Sequence, residues 1–268
     1  MSVMNKSSIK FVGLHAHSVF SVFDGLGYPQ DHMDFAYENG CDALALTDHG
    51  NMNGLSHQVL HAKKMQAEGK DFKPIYGIEA YFIDSVEKWK EEYEEIRKTK
   101  KGRKKKEENS AVVVEDEEAT KRQEKNIINR RAHLVLLAQN QTGLNNLFQL
   151  ISKSFNGDSF YRYPRIDYKM LAEHHEGIIV SSACMGGPLS KDYWNNREEG
   201  HEAVQAAMTD TISNFVEIFG DRFYGELQWN AIPEQHEINK HIIEASKKLG
   251  VKLISTADSH YPRPDLFK

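Results

Sequence analysis

The sequence is poor in cysteine and contains no long hydrophobic run, and both absences limit what the protein can be. Its 268 residues include two cysteines, Cys41 and Cys184. Two are too few for a disulfide framework, which is typical of a reducing compartment. No apolar stretch approaches the roughly 20 residues of a membrane span, and residues 1–10 lack the apolar middle region of a secretory signal. We therefore expect a cytoplasmic protein without a membrane anchor.

A strongly basic balance is also absent. The formal net charge is -5, so global charge does not support tight binding to duplex DNA by this chain alone. The charges concentrate between residues 87 and 131, which hold 15 Lys or Arg and 12 Asp or Glu. We interpret residues 85–131 as a charged insertion in a single domain that covers residues 1–268. Its mixed signs favour a solvated helical hairpin or a disordered loop over a nucleic-acid-binding arm.

Short apolar runs alternate with helical patterns along the rest of the chain. The strand-like runs cover residues 12–16, 43–47, 75–82, 134–138, 178–182, 223–228 and 252–256. The helical patterns cover residues 29–38, 55–66, 143–154, about 198–218 and 233–248, and prolines open the first and last of them. This alternation predicts an α/β fold with a parallel sheet, either open or closed into a barrel.

Residues of the types that bind metal ions lie where most of these runs end. They are His15, His17, Asp24, the segment Thr47-Asp48-His49, Glu79, Cys184 and the segment Asp258-Ser259-His260. The ends of parallel strands meet at one edge of a sheet or barrel, where α/β enzymes place their chemistry. His15 and His17 are two residues apart, so on a strand both side chains point to the same face. The pattern predicts a metalloenzyme.

Each of these signals has an alternative explanation when taken alone. A single His-x-His is more often not a ligand pair, and Asp-His-Gly after an apolar run is often only a turn. Glu79 is harder to explain in that way, because an unpaired carboxylate inside an apolar run is costly to bury. Imidazole, carboxylate and thiolate together suit zinc, whereas manganese or iron suits a set of oxygen and nitrogen ligands.

The motifs resemble those of the PHP (polymerase and histidinol phosphatase) domain, in the form found in the alpha subunit of bacterial and phage C-family replicative DNA polymerases. The matching motifs are His-Ala-His-Ser at 15–18, Asp-Gly-Leu at 24–26, Leu-Thr-Asp-His-Gly at 46–50, Gly-Ile-Glu-Ala at 77–80, His-Leu-Val-Leu-Leu-Ala at 133–138, Pro-Arg-Ile-Asp at 164–167, Ser-Ala-Cys-Met-Gly at 182–186 and Thr-Ala-Asp-Ser-His at 256–260. They follow one another in this order over nearly the whole chain.

This resemblance implies a distorted (β/α)7 barrel with up to three divalent metal ions. The first ion would be held by His15, His17, Glu79 and Asp258. Glu79 would bridge to a second ion held by His133 and Cys184, and the third would be held by Asp24, His49 and His260. The assignment of His133 depends on the resemblance alone, because His133 begins its apolar run instead of ending it.

The resemblance also implies hydrolysis of a phosphoester by a water molecule that the ions activate. Arg165 could contact a phosphate, although a surface ion pair is an equal alternative. Our leading hypothesis is a proofreading 3'-5' exonuclease that acts on the DNA primer 3' end, within a polymerase alpha subunit that continues past Lys268. The alternatives are a free-standing phosphatase or phosphoesterase and a catalytically silent, metal-stabilised scaffold domain of the polymerase.

Overall fold

The computed structural model describes residues 11–107 and 117–266. Its strands are β1 (Ala43–Leu46), β2 (Lys73–Phe82), β3 (Ala132–Ala138), β4 (Phe160–Tyr161), β5 (Tyr163–Ile166), β6 (Ile178–Ser181), β7 (Phe223–Gln228) and β8 (Lys252–Thr256). Its α-helices are α1 (Pro29–Glu38), α2 (Leu55–Ala67), α3 (Val86–Glu107), α4 (Glu117–Ile128), α5 (Gln141–Ser154), α6 (Tyr168–Glu173), α7 (Pro188–Asn196), α8 (His201–Phe219) and α9 (Pro233–Leu249).

The strands form one curled sheet in which β1, β2, β3, β6, β7 and β8 are successive neighbours. Residues 13–16 span the gap between the two ends of this series. Gly13 bridges Leu44 in β1, and Ala16 bridges Ser259 just after β8. The amide of His17 donates to the carbonyl of Ser259 over 2.8 Å. The fold is therefore the predicted mixed α/β architecture, a distorted barrel with seven chain segments.

The direction of one strand differs from the prediction of a parallel sheet. Strand β3 runs antiparallel to both of its neighbours, β2 and β6. Helices α3 and α4 pack against each other between β2 and β3. This helical pair returns the chain to the end of the barrel at which β2 stops, so β3 begins there. A single crossover helix would instead have returned the chain to the opposite end.

The first strand-like run and a short hairpin also differ from the prediction. Residues 12–16 form isolated bridges instead of a regular strand, one to Leu44 in β1 and one to Ser259 after β8. The hairpin of β4 and β5 extends the sheet beside β2. Its strands have two and four residues, which is too short for a period-2 pattern to be read from the sequence.

Helices α3 and α4 lie in the segment that we interpret as an insertion, and residues 108–116 between them lie outside the described residues. Trp89 of α3 is 2% exposed, and its indole N–H donates to the carbonyl of Ile127 at the end of α4 over 2.8 Å. The start of α3 is therefore held against the end of α4. The interpretation of residues 85–131 as an insertion remains a prediction.

The outer face of the sheet packs against the helices in one main core. Leu134, Leu136 and Val180 come from the strands, while Phe215 and Ile238 come from helices α8 and α9, and all five are fully buried. Burying such a side chain contributes about 1.5–3 kcal/mol to stability. The core therefore holds the strand ends in fixed relative positions. No helix within the described ranges combines the length and apolarity needed to cross a bilayer.

Candidate metal centre

Glu79 of β2 lies at the centre of a cluster of imidazole rings. Its side chain is fully buried. Oxygen Oε1 lies 3.2 Å from Nε2 of His15 and 3.1 Å from Nδ1 of His133. Oxygen Oε2 lies 2.5 Å from Nδ1 of His49 and 3.6 Å from Nε2 of His17. One carboxylate thus faces four histidines that come from three separate parts of the chain.

The barrel topology explains why these residues meet. His49 follows β1 and bridges Glu79 in β2, so both lie near the same edge of the sheet. His133 stands at the second position of β3, and β3 is antiparallel to β2. The beginning of β3 therefore lies at the edge where the parallel strands end. The antiparallel direction of β3 explains why His133 reaches the cluster although it begins its apolar run.

Asp258 and Cys184 complete the inner part of the cluster. Oδ1 of Asp258 lies 3.3 Å from Nε2 of His15 and 3.2 Å from Nε2 of His17. Sγ of Cys184 lies 3.7 Å from Oε1 of Glu79 and 3.5 Å from Nδ1 of His133. Asp258 has a backbone φ of 49°, a left-handed conformation that is uncommon for a residue with a side chain. Such strain is typical of a functional site.

Asp24, His49 and His260 form an outer group on the more exposed side of the cluster. Nε2 of His49 lies 2.9 Å from Oδ2 of Asp24, and Nε2 of His260 lies 3.4 Å from the same oxygen. The ring of His260 stacks on that of His17 with centroids 4.4 Å apart. His49 thus faces Glu79 with one ring nitrogen and Asp24 with the other. All nine predicted ligand residues therefore lie in one continuous cluster.

The chemistry of this cluster fits divalent metal ions. Within the part of the chain that the structure describes, five of its buried ligand atoms face one another at 2.5 to 3.6 Å but form no hydrogen bond of normal geometry. They are Nε2 of His15, Nε2 of His17, Nδ1 of His49, Oε2 of Glu79 and Oδ1 of Asp258. Buried polar atoms normally have a partner, and leaving one without costs about 1–3 kcal/mol. Each of these atoms can present a lone pair to a cation.

The ligand atoms are also close enough to share ions. Among the described residues, three overlapping groups have ligand atoms within 4.8 Å of one another. They are His17, His49 and His260; His15, His17 and Glu79; and His49, Glu79 and His133. Nitrogen and carboxylate ligands with one nearby thiol suit zinc, manganese or iron. The geometry therefore supports a centre that can bind more than one ion.

The charges of the cluster shift its pKa values strongly. Burial alone would lower the pKa of His15, but the carboxylates of Glu226, Asp258 and Glu79 outweigh it and hold that pKa well above its usual range. Burial would raise the pKa of Glu79, yet the surrounding histidines hold it well below normal. Burial, reinforced by the charge of Glu79, raises the pKa of the Cys184 thiol. Cation binding must therefore displace protons from histidine and cysteine ligands.

Glu226 is a further member of the site that the sequence analysis missed. It is 1% exposed and lies on β7. Its Oε1 lies 2.7 Å from Nδ1 of His15 and accepts a hydrogen bond from the hydroxyl of Thr256 over 2.5 Å. The hydroxyl of Ser181 donates to Oε2. A carboxylate inside an apolar strand was the signal that identified Glu79, and the same signal marks Glu226.

Asp48 orients the ring of His17 through the hydroxyl of Ser21. Nδ1 of His17 lies 2.9 Å from the Ser21 hydroxyl, which donates to Asp48 over 2.8 Å. Asp48 also accepts hydrogen bonds from the amide and hydroxyl of Ser18, over 2.7 and 2.8 Å. Ligand histidines are usually oriented in this way by a partner on the far ring nitrogen. Asp48 therefore supports the site without facing its centre.

Arg165 does not have the position that the sequence analysis expected. It is fully buried and donates hydrogen bonds to the carbonyls of Arg130, Tyr161, Tyr163 and Ile128. Its guanidinium lies 4.1 Å from the ring centroid of Trp89. Because four backbone acceptors and a ring surround the guanidinium, it cannot also contact a phosphate or a surface carboxylate. The expectation that Arg165 assists catalysis is contradicted by this geometry.

Comparison with known proteins places the site in a family context. The PHP domain model matches residues 13–230. The chain is 36% identical over 256 residues to DNA polymerase III subunit alpha of Aquifex aeolicus, covering 95% of this chain and 18% of that protein. It is 33% identical over 261 residues to DNA polymerase III subunit alpha of Thermus aquaticus, covering 97% of this chain and 18% of that protein. The chain thus spans less than a fifth of the length of these relatives.

The fold is also similar to those of solved structures. An amidohydrolase from Chromobacterium violaceum gives a TM-score of 0.48 at 14% identity, covering 95% of this chain and 89% of that one.

Proposed function

The chain belongs to the PHP domain family, and on this premise we propose that it is a metal-dependent phosphoester hydrolase. The single observation that carries the proposal is the set of five buried ligand atoms around Glu79 that face one another without the geometry of a hydrogen bond. Buried polar atoms that serve only to stabilise a fold are normally hydrogen-bonded. Divalent cations between these atoms would satisfy all of them together.

The chemistry follows from the kind of ligands present. Divalent ions held by these residues would lower the pKa of a water molecule and neutralise charge on a phosphate. Glu79 offers both carboxylate oxygens, one to each side of the cluster. Glu226 and Ser21 hold the outer ring nitrogens of His15 and His17, so that the inner nitrogens stay directed at the centre. No nucleophilic side chain is needed for such a hydrolysis.

Substrate access is consistent with a large phosphoester. The side chain of Asp24 is 56% exposed and that of His260 is 27% exposed, whereas Glu79 is fully buried. The cluster therefore opens to solvent on the side of Asp24. We propose that the substrate enters from this side and that the natural substrate is the 3' end of a DNA primer, which makes the domain a 3'-5' proofreading exonuclease. The names of the relatives support a role within a polymerase alpha subunit. We also propose that zinc, manganese or iron is bound and that the protein acts in the cytoplasm.

Digestion of labelled single-stranded DNA tests this proposal. The purified protein is incubated with 3'-labelled or 5'-labelled strands and manganese or zinc, with and without chelator. The Asp258→Ala variant removes a predicted ligand, and His236→Ala, which changes an exposed histidine of α9, is the matched control. Metal-dependent shortening from the 3' end by the wild type and the control, but not by Asp258→Ala, is the expected result.

Other outcomes would favour the alternative functions. Cleavage of a phosphomonoester without any attack on DNA would favour a phosphatase. Tightly bound metal without hydrolysis of either substrate would favour a scaffold domain, since metal ligands can also contribute folding energy outright. Equal activity of the wild type and Asp258→Ala would contradict the metal assignment itself.

A further inference from the structure

Arg131 lies on the same face of the sheet as the metal cluster. It immediately precedes β3, and His133 follows it by two residues. Side chains two residues apart on an extended chain point to the same face, with a spacing of roughly 6.6 Å between their backbones. Nδ1 of His133 is 3.1 Å from Glu79. Arg131 therefore lies on the same side of the sheet as the cluster, next to His133 and farther from Glu79.

Two tyrosine rings fix the position of this guanidinium relative to the predicted ligands. The Arg131 guanidinium carbon lies 3.8 Å from the ring centroid of Tyr163 and 5.4 Å from that of Tyr81. The ring of Tyr81 is in turn 5.7 Å from the ring of His133 and 6.1 Å from the ring of His49. A single aromatic ring therefore separates the Arg131 guanidinium from the metal ligands.

The charge of Arg131 has no anionic partner among the residues whose side chains the structure describes. Nη1 donates to the carbonyl of Asn129 over 3.1 Å, and the buried Nε has no partner. The adjacent Arg130 differs, because it forms a two-point ion pair with Glu92 at 3.1 and 2.7 Å. An anion that approached Arg131 would supply the charge-assisted hydrogen bonds that it lacks.

We propose that Arg131 forms a phosphate-binding subsite beside the metal centre. The inference rests on the proposed function and specifies its substrate class. Because Tyr81 separates Arg131 from the metal ligands, a phosphate at Arg131 is not the phosphate held at the cluster. A substrate that occupies both positions carries at least two phosphates in a chain, as a nucleic-acid strand does and a simple phosphomonoester does not.

The test compares Arg131→Gln with the matched neighbour Arg130→Gln. Binding of a fluorescent ten-nucleotide single strand with phosphorothioate linkages is measured by anisotropy over a series of salt concentrations, with metal-loaded protein. Arg131→Gln is expected to weaken binding roughly tenfold and to reduce the slope of log affinity against log salt by about 0.7, the value for one phosphate contact on a single strand. Arg130→Gln is expected to leave both quantities unchanged.

Further measurements separate a subsite from a structural role of Arg131. Metal content and melting temperature of Arg131→Gln should match those of the wild type, and Arg131→Lys, which retains the charge, should recover most of the affinity. With active enzyme, Arg131→Gln should raise KM for the oligonucleotide with little change in kcat, while KM for p-nitrophenyl phosphate stays the same.

The outcomes distinguish this inference from the function on which it rests. Strand binding that depends on Arg131, without any hydrolysis by the wild type, would support the subsite and contradict the hydrolase. Hydrolysis by the wild type with equal strand affinity in Arg131→Gln would overturn the subsite and leave the hydrolase standing. Equal losses in Arg131→Gln and Arg130→Gln would also overturn it, because general surface charge would then account for the binding.

Discussion

Nδ1 of His15 lies 2.7 Å from Oε1 of Glu226, on the side of the imidazole ring that faces away from Glu79. Both side chains are fully buried. The contact fixes which ring nitrogen points into the cluster, because the nitrogen that faces Glu226 donates its proton there. His15 is thereby held in the orientation that its predicted role as a ligand requires, by a residue that does not itself face the centre.

Replacement of Glu226 should therefore weaken metal binding without removing a ligand. We expect Glu226→Gln to lower metal affinity roughly ten- to hundredfold, as is usual when the partner of a ligand histidine is lost. Competition with a chromophoric chelator measures this affinity. Glu237→Gln, which changes an exposed carboxylate paired with Lys240, is the control and should bind metal as the wild type does. Unchanged affinity in Glu226→Gln would contradict the orienting role.

Loss of His17 should abolish hydrolysis. Its Nε2 faces both Asp258 and Glu79, at 3.2 and 3.6 Å, so truncation removes a predicted ligand of the inner cluster. We expect His17→Ala to lower the rate of phosphoester hydrolysis by about a hundredfold or more. The rate is measured at saturating metal beside the His236→Ala control. Full activity of His17→Ala would contradict the assignment of His17 as a ligand.

Arg165 should matter for stability and not for substrate binding. The Arg165→Met variant leaves four backbone carbonyls without their donor, and each such loss costs about 1–3 kcal/mol. We expect a decrease of about 3 kcal/mol or more in the free energy of unfolding, measured by urea denaturation. KM of the folded variant should stay near that of the wild type. An increase in KM without loss of stability would restore a substrate role for Arg165.

Asp192 of α7 should make stability depend on pH outside the metal centre. Burial raises its pKa to about 6, in part against a hydrogen bond from Thr211. The folded state therefore binds more protons than the unfolded state between about pH 4 and 6, so the contribution of this residue to stability decreases as pH rises through that window. Above about pH 6 the buried, charged carboxylate of Asp192 destabilises the folded state.

The Asp192→Asn variant tests this dependence. Its free energy of unfolding should exceed that of the wild type by about 1–2 kcal/mol at pH 7.5, and the difference should be near zero at pH 4. Urea denaturation with chelator present removes the contribution of bound metal. A difference that is the same at both pH values would contradict the raised pKa.

Much of the fold could be predicted from local patterns in the sequence. Helix α1 begins at Pro29 and α9 at Pro233, as expected from the fixed φ of proline in a first helical turn. Six of the seven strand-like runs form strands. The pattern failed for residues 12–16, whose pairing depends on isolated bridges to Leu44 and Ser259. Such contacts are set by distant segments and leave no periodicity in the local sequence.

The residue types of the cluster could be predicted from the sequence, but the residues that orient them could not. His133 could be placed only through resemblance, because the antiparallel direction of β3 depends on how α3 and α4 pack. The interpretation of Arg165 failed for a similar reason. The sequence around Arg165 does not indicate that four carbonyls will surround its guanidinium. Glu226 differs, because a carboxylate within an apolar run indicates a buried functional residue.

The metal content of the purified protein tests the central claim most directly. Elemental analysis of the wild type should find zinc, manganese or iron bound, at up to three ions per chain. The Glu79→Gln variant, with circular dichroism unchanged, should lose most of that metal, because Glu79 faces four histidines at once. Absence of bound metal from the wild type after growth and dialysis with each cation, or equal occupancy in Glu79→Gln, would contradict the account.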